Sequence, residues 1–196
     1  DMAFDLESMG GDALAIQLLE QLGAHCGHTV MTLYVLAYLQ DKLGIDCRET
    51  LALADHADVG DAYPVRLGEM RVLEAMRQKG AVRAAFLLGC LLYNKRQYAR
   101  VAELFEESIR LQPDHYMAYR SLAIACFSHL NRREEAPALM EKARALNCTQ
   151  QILYESAVLM DLMGADPAEK IALLAPRAAT FRRDDLFVEL AKAYNQ

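Results

Sequence analysis

The segment His25-Cys26-Gly27-His28 contains the densest group of side chains that could coordinate a metal ion. Zinc in proteins is normally held by three or four nitrogen or sulfur ligands, which usually come as two separated pairs. Here a second pair exists only if His56 and Asp58 fold back onto the segment. We therefore predict that the segment is a turn between two helices, and that the chain binds neither a metal nor another cofactor.

The sequence also lacks the motifs of common catalytic sites. It has no P-loop, no G-x-G-x-x-G, no H-E-x-x-H and no G-x-S-x-G. None of its five cysteines stands in a pattern that suggests a Cys–His dyad. Paired carboxylates occur on predicted helix surfaces or at helix starts, where solvent and the helix dipole account for them. These pairs are Glu106-Glu107, Glu134-Glu135 and Asp184-Asp185. We predict that the chain is not an enzyme.

The elements that could position a binding site are clearest between Ala85 and Pro113. Apolar residues recur there in two runs, three or four positions apart, which is the period of an α-helix with one buried face. The polar segment 94–97 separates the runs, and Pro113 ends the second because proline has no amide hydrogen. Gly89 removes a side chain where we expect the two helices to cross closely. The stretch is predicted to be a helix–turn–helix pair.

This pair resembles a tetratricopeptide repeat (TPR), a helix–turn–helix unit of 34 residues. The positions that carry the resemblance are Ala85, where the pattern usually has an aromatic residue, and Leu88, Gly89, Tyr98, Phe105 and Pro113. The same spacing returns in three later stretches, at Tyr119, Leu122, Ala123 and Cys126, at Tyr154 and Ala157, and at Phe187, Leu190, Ala191 and Tyr194.

The resemblance implies an all-α fold, an α-solenoid of TPR-like helix–turn–helix pairs that stack into a right-handed superhelix. We expect a single domain over residues 1–196. Its repeats would cover residues 28–57 (irregular), 82–115, 116–150 and 151–183, with a partial or capping helix at 184–196. A helix over residues 64–79 lacks a partner of its own, and the pattern leaves its path open.

Local signals predict where several of these helices begin and end. We expect a turn at Gly23 to Gly27, followed by a helix from Thr29 to Leu43. The spacing of Asp46 and Glu49 is similar to a capping box at the start of the next helix. The following helix is predicted to start at Pro64. Asp166-Pro167 combines a capping residue with proline at the first helical position.

Composition excludes two classes of partner. The net charge of −6 and the pI near 5.4 argue against general nucleic-acid binding. No run of about 18 uncharged apolar residues exists, so no membrane span is predicted. The odd number of cysteines, without a C-x-x-C motif, favours a reducing compartment, and we expect the protein to be cytoplasmic.

Repeat geometry predicts where a partner would bind. In stacked helix pairs the first helices line a concave groove, which such proteins use to hold other polypeptides. An apolar and aromatic floor with two arginines could hold an extended peptide or a helix and pair with its carboxylates. The alternative is that Phe86 packs in the core and that Arg83 and Arg120 are merely solvated. The candidate residues are Tyr34, Tyr38, Arg83, Phe86, Asn94, Arg120, Ile124 and Glu155.

The predicted function is therefore a non-catalytic scaffold that binds a protein or peptide partner. Two alternatives stay open. The tract from Tyr63 to the end also resembles the C-terminal TPR tract of large bacterial proteins that carry a mutarotase-like domain. That resemblance implies a structural or dimerising appendage that packs on another domain of a carbohydrate-related enzyme. The third hypothesis is a secretion-type chaperone, which also uses about three such repeats.

Overall fold

The computed structural model describes residues 2–60 and 62–195, and every regular element among them is helical. Contacts divide the chain into two compact units. Unit 1 extends to Gln112 and unit 2 begins at Pro113. Both consist of helices joined by short turns, as the periodic apolar pattern predicts. The single-domain prediction and the handedness of the superhelix stay predictions.

Unit 1 contains seven helices within its described residues. Neighbouring helices pack on one another along the chain, except that the fourth helix packs on the third and not on the fifth. Their bounds are α1 Met2–Ser8, α2 Asp12–Cys26, α3 Val30–Lys42, α4 Arg48–His56, α5 Leu67–Gln78, α6 Ala84–Asn94 and α7 Tyr98–Leu111.

Unit 2 contains five α-helices within its described residues, together with a 3₁₀ helix at Arg133–Glu135 and another at Ala175–Thr180. Consecutive helices again pack on each other, and the first, third and fifth are the first helices of the predicted repeats. Their bounds are α8 Tyr116–Ser128, α9 Ala136–Leu146, α10 Gln150–Met163, α11 Pro167–Leu174 and α12 Asp184–Tyr194.

The α6–α7 pair confirms the helix–turn–helix prediction. Its turn covers the polar residues between Asn94 and Tyr98, and α7 ends before Pro113. The ring of Phe105 lies against Gly89, where a Cβ would fall 2.6 Å from Cε1 of that ring. Real Cβ atoms essentially never approach a neighbour so closely. Glycine at this position therefore allows the close crossing of the two helices.

The predicted odd helix is α5, which packs on both α3 and α6. It begins at Leu67, three residues after the predicted start at Pro64. The carboxylate of Glu69 accepts hydrogen bonds from the backbone amides of Val65 and Arg66, both at 2.7 Å. These bonds tie the two residues that precede α5, of which Arg66 is the N-cap, to its first turn, and they stabilise the later start.

Two local predictions in unit 1 are wrong. Residues 23–26 continue α2 instead of forming a turn, and the chain turns at Gly27, whose φ is +78°. The imidazole of His28 lies so close to Gly23 that a Cβ there would be 1.8 Å from the ring. The capping box is not formed, because the N-cap of α4 is Cys47 and not Asp46. Asp46, one residue earlier, accepts a hydrogen bond from the backbone amide of Arg48 at 3.1 Å and pairs with its guanidinium at 2.6 Å.

The start and end of helices in unit 2 follow sequence signals closely. Oδ1 of Asp166 accepts a hydrogen bond from the amide of Ala168 at 2.8 Å, and Pro167 is the first residue of α11. Gly164 ends α10 in the left-handed conformation, with φ +70°. The capping bond confirms the predicted start of α11, and Gly164 marks the end of the preceding helix.

A buried ion cluster joins α10, α11 and α12. The ammonium of Lys170, only 1% exposed, donates to Asp161 at 2.6 Å and to Glu189 at 2.7 Å. Lys192 donates to the other oxygen of Glu189 at 2.6 Å. Burial tends to raise the pKa of Glu189, but the hydrogen bonds from the two lysines outweigh burial and hold that pKa below its ordinary value. The same three helices also contribute to a hydrophobic cluster, which contains Leu174 of α11 and Leu186 of α12.

None of the described helices is long and apolar enough to cross a lipid bilayer.

Substitution of Gly89 tests the close crossing of α6 and α7. We expect Gly89→Leu to overpack the crossing and to lower the free energy of unfolding by roughly 1–3 kcal/mol or more. Thermal unfolding followed by circular dichroism measures the loss. Ala191→Leu is the matched control, because Ala191 stands at the same repeat position on α12 and is exposed. Equal melting temperatures for the two variants would contradict the close-crossing explanation.

The pKa of Glu189 gives a pH prediction. Because this pKa is lowered in the folded state, the stabilisation is present above the unfolded value of about 4.3 and is lost as the pH falls through the folded pKa. We expect Glu189→Gln to cost about 1.5–3 kcal/mol at pH 7 and to reduce the fall in melting temperature between pH 5 and pH 3. A variant with the same acid profile as the parent chain would rule out this role.

Candidate binding groove

Two of the predicted partner-binding residues are buried in the core of unit 1, and this part of the prediction is corrected. Tyr34 is 0% exposed and Phe86 is 2% exposed. The rings of Phe86 and Phe105 pack together with 5.9 Å between their centroids. The side chains therefore hold the helices together and present no surface to a partner. Phe86 is therefore a core residue, which was the alternative to its predicted role in binding.

Arg83 belongs to a network around the carboxylate of Asp55. The hydroxyl of Tyr34 and the amide of Val82 both donate to Oδ1 of Asp55 at 2.9 Å. Nε of Arg83 donates to the backbone oxygen of Asp55 at 2.6 Å. Burial, together with the nearby carboxylate of Asp55, raises the pKa of Tyr34, so its hydroxyl stays protonated. The network connects α3 and α4 to the start of α6.

The remaining predicted residues of unit 1 are more accessible. Tyr38 is half-buried on α3, and the guanidinium of Arg71 lies 5.5 Å from the centre of its ring. Asn94 is exposed at the end of α6. Their role in partner binding stays a prediction.

Unit 2 has an apolar groove between α8 and α10, with a volume of about 220 Å³. It brings together two of the predicted residues, Ile124 on α8 and Glu155 on α10. We call this surface the α8–α10 groove. Its lining residues are Ala123, Ile124, Phe127, Ser128, Met140, Tyr154, Glu155, Val158, Leu159 and Leu162.

An ion pair crosses from one wall of this groove to the other. Nε of Arg120 on α8 donates to Oε2 of Glu155 on α10 at 2.6 Å, and a second guanidinium nitrogen donates to Oε1. Two parallel hydrogen bonds of this kind fix geometry as well as charge. Arg120 and Glu155 therefore neutralise each other, and the ion pair borders the groove at one end. Arg120 is held in an ion pair and is not merely solvated, which was the alternative to its predicted role in binding.

A second cation stands beside Phe127. The guanidinium of Arg133 lies 4.9 Å from the centre of the Phe127 ring, and its Nε donates to the backbone oxygen of Phe127 at 3.2 Å. In the described part of the chain Arg133 meets no carboxylate. The α8–α10 groove therefore combines an apolar floor with a positive charge that is available at its edge.

Sequence reasoning found Glu155 on α10 but missed Val158 and Leu162 on the same helix. The signal was present, because Glu155, Val158 and Leu162 follow each other at intervals of three and four residues. Arg133 had no such signal, since it lies in a single-turn 3₁₀ helix that the α-helical period does not predict.

The segment from His25 to His28 crosses the end of α2, with His25 and Cys26 in the helix and Gly27 and His28 after it. Nδ1 of His25 donates to the backbone oxygen of Gln21 at 2.8 Å, within its own helix. Across residues 2–60 and 62–195, no three His, Cys, Asp or Glu side chains converge as a metal site requires. That the chain uses no metal or cofactor stays a prediction.

Solved structures with a similar fold span nearly the whole chain. A thermophilic TPR protein from Thermus thermophilus, TTC0263, has a TM-score of 0.55 and 21% identity, with 100% of this chain and 96% of that chain covered. MamA AMB-1 has a TM-score of 0.51 and 18% identity, covering 96% and 93%. A MamA RS-1 double mutant has a TM-score of 0.50 and 14% identity, covering 99% and 91%.

No protein-family model matches the chain. At these identities the likeness establishes the fold alone. The repeated spacing of apolar and small residues, the helical pairs in each unit and the likeness to TTC0263 agree with one another. The chain therefore has the all-α helical-repeat fold of TPR proteins, a fold of the solenoid class.

Proposed function

We propose that this protein is a non-catalytic interaction module that binds a short peptide segment of a partner protein in the α8–α10 groove. The observation that carries the proposal is the groove itself, in which apolar side chains from two first helices lie beside an available arginine. Helical-repeat folds commonly bind polypeptides on the surface formed by such helices. The proposal concerns a surface within unit 2 alone.

The apolar floor supports a peptide partner. Leu162 is 61% exposed, and Ile124, Phe127 and Val158 are half-buried. Burying such side chains against a partner removes apolar surface from water, which contributes roughly 25 cal/mol per Å². One or two apolar side chains of an extended or helical segment fit a volume of about 220 Å³.

The charges support a partner that carries a carboxylate next to its apolar residues. Arg133 offers hydrogen-bond donors at the Phe127 edge, whereas Arg120 is already held by Glu155. A carboxylate that reaches Arg133 forms a charge-assisted hydrogen bond without separating an existing ion pair. The earlier expectation that Arg120 pairs with the partner is replaced by one in which Arg133 does so.

The other hypotheses stay predictions. A contact with another domain of a larger bacterial carbohydrate-related protein would use the same kind of apolar groove, as would a homodimer or a secretion-type chaperone. None of these has a specific observation in its favour here. The cytoplasmic and bacterial setting rests on the sequence expectations alone.

The groove can be tested by selecting peptides from a random twelve-residue phage-display library against the folded chain. We expect the selected peptides to contain apolar residues next to Asp or Glu. In isothermal titration calorimetry, Leu162→Asp should weaken their binding at least tenfold, because a carboxylate then lies on the apolar floor. Leu53→Asp is the matched control, since Leu53 is 57% exposed on α4. Failure to select any peptide, or equal binding to both variants, would sink the proposal.

Substitution of Arg133 tests the assigned charge. For a selected peptide with a carboxylate, Arg133→Gln should lower affinity about fivefold to tenfold, which corresponds to about 1–1.4 kcal/mol. The loss should disappear when the peptide carries Asn or Gln in place of its acid. An equal loss of affinity for acidic and neutral peptides would show that Arg133 does not pair with the carboxylate of the peptide.

A further inference from the structure

A second groove in unit 2 lies between α9 and α11, with α10 as its floor. Its volume is about 610 Å³, nearly three times that of the α8–α10 groove. We call this surface the α9–α11 groove. Its lining residues are Pro137, Met140, Glu141, Arg144, Ser156, Leu159, Met160, Met163, Ala165, Glu169, Ala172, Leu173 and Arg177.

Three methionines form much of this groove. Met140 comes from α9, and Met160 and Met163 come from α10. Met140 is buried, whereas Met163 is 36% exposed. Methionine side chains are flexible and polarisable, so they adapt to apolar partners of different shape. The floor is therefore suited to the uneven apolar face of an α-helix, which binds in a groove through side chains one turn apart.

Two charges on the α11 side remain available. Glu169 lies near the start of α11, and Arg177 lies eight residues later in the 3₁₀ segment, where it donates to the backbone oxygen of Leu173 at 2.7 Å. Neither meets an oppositely charged side chain within the described residues. The opposite wall is neutral, because Arg144 pairs with Glu141. The eight residues run from α11 into the 3₁₀ segment, and at rises of about 1.5 Å and 2.0 Å per residue they span roughly 13 Å.

We propose that the α9–α11 groove binds an amphipathic α-helix of a partner protein. Its apolar face covers the methionines, a basic side chain faces Glu169, and an acidic side chain about two turns away faces Arg177. A helix lying between two helices of the chain packs its ridges into the furrow between them. This surface is distinct from the proposed peptide site, and the two partners need not be the same protein.

The experiment uses the full chain with Leu162→Asp, which blocks the α8–α10 groove and leaves the α9–α11 groove intact. A phage library of stabilised helical peptides is selected against it. We expect helices with apolar residues at intervals of three and four, flanked by a base and an acid about two turns apart. In methyl NMR with labelled methionine, the signals of Met160 and Met163 should shift, and that of the exposed Met9 should not.

Two exposed alanines of α11 provide the matched pair of variants. Ala172 lines the groove and Ala168 does not. Ala172→Glu should weaken the selected helices at least tenfold, whereas Ala168→Glu should leave their affinity within twofold. Arg177→Gln should weaken binding about fivefold, and only for helices that carry the acid. No selected helix, unshifted Met160 and Met163 signals, or equal binding to the two alanine variants would each overturn the inference without bearing on the peptide site.

Discussion

The fold depends on how closely neighbouring helices can approach each other. Each helix carries an apolar stripe that it cannot cover alone, so stability comes from the next helix lying against it. A small residue recurs every 34 positions on the first helix of each repeat, as Gly89, Ala123 and Ala157, and these positions are buried. At Gly89 the ring of Phe105 occupies the space that a side chain would need. The α6–α7 pair is thus set at a distance that a larger residue at position 89 would not permit.

Features that depend on helical period were accessible from sequence, whereas those that depend on helix rotation were not. The period predicts the α6–α7 pair and the start of α11, since both rest on local signals such as Pro113 and Asp166. It leaves the rotation of a helix uncertain by about one residue, or roughly 100°. On α10, Ile152 is buried in the core, whereas Val158 lines the groove. For Tyr34 and Phe86 the same limit led to groove assignments for side chains that are buried.

For charged residues too, the sequence pattern does not show which tertiary contacts form. Net charge and the counts of acids and bases say little about which charges are already neutralised. Arg120 and Glu155 lie 35 positions apart in the chain and form an ion pair, and Lys170 is buried with two carboxylates. Such pairs stabilise unit 2 but offer no net charge to a partner. In the two proposals, recognition of a partner's charges falls instead to Arg133, Glu169 and Arg177, which meet no oppositely charged side chain within the described residues.

The two grooves of unit 2 are separated by side chains that line both of them. Met140 and Leu159 line both surfaces, and at 4% and 8% exposure they are nearly covered by the helices around them. An occupant of either groove therefore contacts side chains that form the wall of the other. Met140 has three rotatable bonds, so a change in its rotamer caused by an occupant of one groove also changes the wall that an occupant of the other groove meets. Any such effect on binding free energy acts equally in both directions, because linkage between two sites is reciprocal.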